Sequence, residues 1–224
     1  MGMTASLEQI TPQQLAGFIQ DPRCAYDYVF SEFLENPAAM RKFDEFVQQA
    51  ESRFGHAAKE QIEHIKAQSQ AMKARAGIHL VKGERGPQQR PKPKPERKRF
   101  WLEKDWHVLH YLLNGTTEGG TGPLADVVLG GAEIPDVDGL MGYGPLRYLT
   151  VEQVSDIAAA LAEVDLKQLV SKFDHEDAVS KRIYLAETIR DQSDWSYFTG
   201  FFEAFRDFYK DAAMHGNAML LQIT

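Results

Sequence analysis

The sequence predicts an α+β domain in which a small mixed sheet, including the N- and C-terminal strands, packs against several amphipathic helices. Three observations carry that expectation. The chain opens on an extended apolar stretch, Met3 to Ile10, and closes on another, Ala218 to Ile223; both are short and suit strands of one sheet. Between them, apolar residues recur at helical spacing in segments bounded by caps, glycines and prolines. The 224 residues are 43% hydrophobic and 11% aromatic, enough for a sizeable core.

The elements follow in order. Thr11-Pro12-Gln13-Gln14 supplies an N-cap, a proline at the first helical position and a capping-box glutamine. Leu15, Phe18 and Ile19 share the inner face of that helix. Asp21-Pro22 interrupts the pattern before a second helix carrying Tyr26, Val29, Phe30 and Phe33. From Ala38 to about Ala76 the spacing of Met40, Phe43, Val47, Phe54, Ile62, Ile65 and Met72 predicts a long helix. Pro91, Pro93 and Pro95 then alternate with lysines, so this stretch should be extended and solvated.

A further helix is expected from about Leu102 to Leu113, stopped by Asn114-Gly115 in a left-handed cap. Pro123 to Leu129 reads as a short helix or strand closing at Gly130-Gly131, and Tyr148-Leu149 is extended. Thr150 to Gln153 is a second capping box, opening a helix through Val164. Short helices follow over 166–173 and 178–185. The last helix is the strongest: Phe198, Phe201, Phe202, Phe205, Phe208, Tyr209 and Ala212 form one wide apolar stripe ending at His215-Gly216.

The net charge is −7, unevenly distributed. Eight Lys/Arg and two Glu between Lys82 and Arg99 make that arm +6 and leave −13 on the remainder. An acidic body favours basic partners and resists nucleic acid, and the arm lacks interleaved aromatics to stack on bases. The single cysteine, Cys24, excludes an internal disulfide framework or a Cys-rich zinc site and reads as an inert buried thiol. No leader pattern or membrane span stands out, and cytoplasm is the simplest location.

Between Asp105 and Thr150 the chain reads DWHVLHYLLNGT, then PLADVVLGG, then GYGPLRYLT. With the opening MGMTASLEQI and the closing HGNAMLLQIT, these phrases resemble the YfbM-like family of small bacterial proteins (DUF1877), a domain of unknown function. The resemblance implies one compact α+β domain over 1–224 and brings no catalytic set and no cofactor. Residues 48–99, a long helix followed by the basic Pro-rich arm of 82–99, depart from the compact family pattern and read as an insertion.

Candidate site residues come from the same region. His107 and His110, flanked by Trp106, lie three apart and can share one helix face. They lack the third and fourth ligands of a metal site, so no metal and no cofactor is expected. The competing reading packs Trp106, Leu109 and Leu113 inward and lets the histidines hydrogen-bond backbone or water; His110 is the stronger functional candidate of the two. Tyr143 sits in a glycine turn that lacks phosphate-loop spacing. Arg147, just after that turn, could grip an anion, or pair with an acid of the body. Glu133, Asp136 and Asp138 read as a solvated acidic loop that suits a basic partner.

The sequence therefore points to a cytoplasmic bacterial protein-binding domain, of the immunity or antitoxin type, acting on a basic toxin domain. Self-association through the insertion helix is a further expectation, and neither nucleic acid nor membrane is expected as a partner. The alternative is a small-molecule-binding protein or hydrolase-like enzyme with a cleft near His110 and Arg147, and the balance leans away from catalysis.

Overall fold

A computed structural model of the chain describes residues 2–35, 97–135, 144–189 and 195–224, together with Glu63, Ala67 and Gln70. It divides into two units, one of residues 1–20, 96–136 and 141–224 and one of residues 21–95 and 137–140. The first is α+β, as expected.

Its sheet has five strands: β1 (Ala5–Ile10), β2 (Arg99–Glu103), β3 (Ala132–Ile134), β4 (Leu146–Leu149) and β5 (Ala218–Ile223). Their order is β2-β1-β5-β4-β3. The N- and C-terminal strands are neighbours near the middle, with Ala5 opposite Ile223 and Leu7 opposite Leu221. Every described pairing is antiparallel, where the sequence suggested a mixed sheet. Flanked on both edges, β1 is buried along its whole length. Alternation places Leu7, Met219, Leu221 and Leu149 in the main core, and Ile10, Leu220, Ile134 and Leu146 on the opposite, equally buried face.

The helices of this unit are α1 (Pro12–Gln20), α3 (Trp106–Asn114), α4 (Val151–Ala162), α5 (Leu166–Ser171), α6 (His175–Ser180) and α7 (Ser196–Met214). Both capping boxes form. Gln14 N–H donates to the Thr11 hydroxyl while Thr11 N–H donates to Gln14 Oε1, and Thr150 with Gln153 repeats the exchange. Helix α7 drives the core. Its Phe198, Phe202, Phe205, Tyr209 and Ala212, spaced four and three apart, are each at most 2% exposed. Phe100 of β2 meets the rings of Phe201, Phe205 and Phe208 at 5.5–5.7 Å. Burying each such ring contributes roughly 1.5–3 kcal/mol, so this helix anchors the unit.

Several local readings are corrected. Residues 99–103 form an edge strand, with Phe100 and Leu102 facing the core, so α3 starts at Trp106 rather than near Leu102. The basic arm thus ends inside the sheet. Arg97 and Arg99 both donate to the carboxylate of Glu8, which is only 4% exposed, and Lys98 pairs with Asp211 at 2.7 Å. Ile19 is half exposed because only Leu15 and Phe18 of α1 turn inward. The helix expected over 178–185 instead spans His175–Ser180, because Asp174 caps it three residues earlier through Asp177 N–H.

In the second unit, α2 (Pro22–Glu35) is described, with Ala25 and Tyr26 buried. Cys24 is exposed rather than buried, since it lies in the first turn of α2, where its thiol contacts Asp21 Oδ2 at 3.5 Å. The helix expected across 38–76, apart from Glu63, Ala67 and Gln70, and the arm up to residue 96 lie outside the described residues.

Candidate functional site

One end of the sheet meets the loop after α3 and encloses a cavity of about 470 Å³. Its construction starts at Asn114-Gly115. Gly115 takes the left-handed conformation, φ +70°, that ends α3. The Asn114 side chain then donates to the carbonyls of His110 and Leu124, at 3.3 and 3.0 Å, and pins the returning loop to its helix. That loop contains a 3₁₀ turn, Pro123–Asp126. It is fixed from below by the buried Tyr209 hydroxyl, which donates to the Val127 carbonyl at 2.6 Å.

Gly130-Gly131 closes the loop onto the sheet. Gly130 has φ +79°, and a Cβ there would stand 2.8 Å from the Cβ of Arg147. The carbonyls of these two glycines accept from Arg147 Nη1 at 3.4 and 3.3 Å, while Nη2 pairs with Glu133, the residue directly opposite on β3. Arg147 is therefore held by an acid and two carbonyls of its own body. Glu133 lies in a strand, not in the expected acidic loop, because the pairing of β3 with β4 recruits it.

Trp106 and His107 form another wall, stacked with centroids 4.7 Å apart. His107 Nδ1 accepts the backbone N–H of Tyr184 at 2.9 Å, which places the proton on Nε2, facing the Thr117 carbonyl at 3.1 Å. Both ring nitrogens are engaged. Burial lowers the pKa of His107 below the ordinary value, against the opposing pulls of the Thr117 bond and Glu118. His110 is fully buried, and burial followed by repulsion from His107 lowers its pKa to about 4. Both rings are neutral at pH 7.

The cavity wall is therefore rich in acids. Among the described residues lining it, Glu118, Asp126 and Glu133 carry carboxylates and Arg147 carries the permanent positive charge. Neither Asp126 nor Glu118 has a side-chain ion pair or hydrogen bond among the described residues. The partly buried Met3, Leu129 and Ile223 supply an apolar surface in the same lining. Among the described residues no group of three His, Cys, Asp or Glu could hold a metal ion.

The family described as "Domain of unknown function (DUF1877)" matches residues 1–222. The chain belongs to this family. Among solved structures, YfbM from Escherichia coli, itself described as a protein of unknown function, is similar over 99% of this chain and 99% of its own. Its identity is 14% and the TM-score 0.54, a likeness of fold. No curated protein matches.

Within this DUF1877 chain the site residues anticipated from sequence are distributed unevenly. Trp106, His107, Glu133 and Arg147 all line this cavity. His110 does not; its ring is fully buried on the inner side of α3, with Nδ1 3.4 Å from Asn114 Nδ2. Tyr143, Asp136 and Asp138 lie outside the described residues. Sequence reasoning missed Glu118 and Asp126. The signal available for Asp126 was a lone carboxylate inside the otherwise apolar phrase PLADVVLGG.

Proposed function

We propose that this DUF1877 domain is a binding module for a basic protein partner, in the manner of an immunity or antitoxin-type inhibitor. One observation carries the reading: the cavity sets three carboxylates against a single arginine, and that arginine is already held by one of the three and by two carbonyls. The residue opposed to catalysis is His107. A general base needs a free lone pair at the substrate, and both of its nitrogens are taken by backbone groups. The −13 balance outside the 82–99 arm acts in the same direction, because long-range attraction speeds encounter with a basic surface.

A second reading, a small-molecule binder, draws support from the cavity's volume, which falls in the range of ligand pockets, roughly 300–1,000 Å³. A hydrolase built on His110 and Arg147 draws none, since His110 is absent from the lining. The deciding experiment is capture from native cells with the full chain as bait. A stoichiometric partner with a strongly basic surface, released as salt rises, is the expected result. Recovery of an acidic partner, or of one indifferent to salt, overturns the reading.

A further inference from the structure

We infer that the cavity seats the charged end of a lysine or arginine side chain offered by the partner, with Asp126 as its counter-ion. This deepens the binding reading and rests on it.

The chemistry follows from what the wall offers. Asp126 and Glu118 present acceptors without partners among the described residues. Donors are fewer: Trp106 Nε1–H has no partner among the described residues, whereas Arg147 is held by Glu133 and two carbonyls, and the one N–H of His107 points to Thr117. A ligand that is itself rich in donors and positively charged satisfies such a wall. An anion could reach only the N–H groups of Arg147 left over from its three contacts, and would sit beside two carboxylates that repel it.

The apolar part of the lining decides the rest. The partly buried Met3, Leu129 and Ile223 share the lining with Asp126, so the ligand carries an aliphatic stem below its charged head, as lysine and arginine do. The site is also preorganised. The Asp126 carbonyl accepts Gly130 N–H at 2.8 Å, and its neighbour Val127 is held by Tyr209, so the carboxylate is presented from a loop already fixed.

The test uses the full chain, titrated with agmatine, n-butylamine, butyrate and n-butanol and followed by amide NMR shifts. Agmatine and butylamine should bind saturably and move the amides of Thr117, Asp126 and Val128, whereas butyrate and butanol should not. Asp126→Asn should weaken agmatine at least tenfold, and Glu118→Gln, at an exposed position, severalfold with an unchanged melting temperature. No saturable shift, an equal response to butyrate, or unaltered affinity in both variants overturns the inference.

The captured partner supplies the second arm. Loss of its binding in Asp126→Asn supports a protein side chain as the occupant. If that variant loses agmatine yet keeps the partner, the side-chain assignment falls while the binding module stands. If agmatine binds through Asp126 and no basic partner exists, the partner reading falls and the occupant is a free amine.

Discussion

His107 accepts the backbone N–H of Tyr184 through Nδ1 at 2.9 Å, joining α3 to a segment 77 residues further along the chain. With Nε2 facing the Thr117 carbonyl, the ring bridges two loops. His107→Ala leaves both backbone groups without their partner and removes the stack on Trp106. It should lower unfolding free energy by about 1–3 kcal/mol in urea titrations. Amine binding to the wild-type protein should show no inflection from this ring above pH 6.5, because burial moves its titration below the ordinary value.

Buried His110 predicts a distinct pH dependence. Its folded pKa is near 4 and its unfolded pKa near 6.5, so below pH 6.5 the unfolded chain binds the proton and the folded chain resists it. Stability should therefore fall as the pH drops from 6.5 to 4, by up to about 1.4 kcal/mol per unit from this group. Urea midpoints measured across that range, compared with His110→Gln, should show the slope reduced in the variant.

Gly130 is required by its backbone and by its neighbours. An alanine there combines a positive φ with a Cβ 2.8 Å from the Arg147 Cβ and 3.1 Å from Leu221 Cδ1. Gly130→Ala should cost more than about 1 kcal/mol and displace Arg147, visible as a lower melting temperature together with altered amine affinity.

Arg147 restrains the cavity's negative charge. Arg147→Gln should change stability by less than about 1 kcal/mol, because the pair with Glu133 is substantially exposed. Agmatine affinity should rise severalfold as Glu133 is released, and isothermal titration would measure it.

Glu8 is nearly sealed from solvent between Arg97 and Arg99. Glu8→Ala removes a buried anion facing two guanidinium groups and should destabilise the domain by about 3–5 kcal/mol. Glu8→Gln, which keeps the shape and an acceptor oxygen, should cost less in the same denaturation assay.

Elements specified by neighbouring residues were legible in the sequence. Thr11 with Gln14 and Thr150 with Gln153 close hydrogen bonds three residues apart, and the stripe of α7 is a local periodicity. The terminal strands showed as apolar runs at either end. What escaped depends on contacts distant in the chain. The Phe100 and Leu102 alternation was masked by the basic run before it. Glu133 looked like part of a loop until β3 paired with β4. The choice between His107 and His110, both on α3, depends on long-range packing that puts His107 at the cavity wall against Thr117 and Tyr184 and leaves His110 fully buried.

The side-by-side placement of β1 and β5 has a consequence for how the molecule is made. Thr4 and Thr224 exchange backbone hydrogen bonds at 2.7 and 2.8 Å, so a pairing near the middle of the sheet spans more than two hundred residues. During synthesis β1 emerges first and waits for β5, with Leu7 lacking its neighbour Leu221 until translation has passed residue 221. Contacts so far apart in sequence slow folding, and an incomplete chain exposes an apolar strand edge prone to association. Chains truncated before residue 218 should therefore aggregate or depend on chaperones, whereas chains that include β5 can pair it with β1.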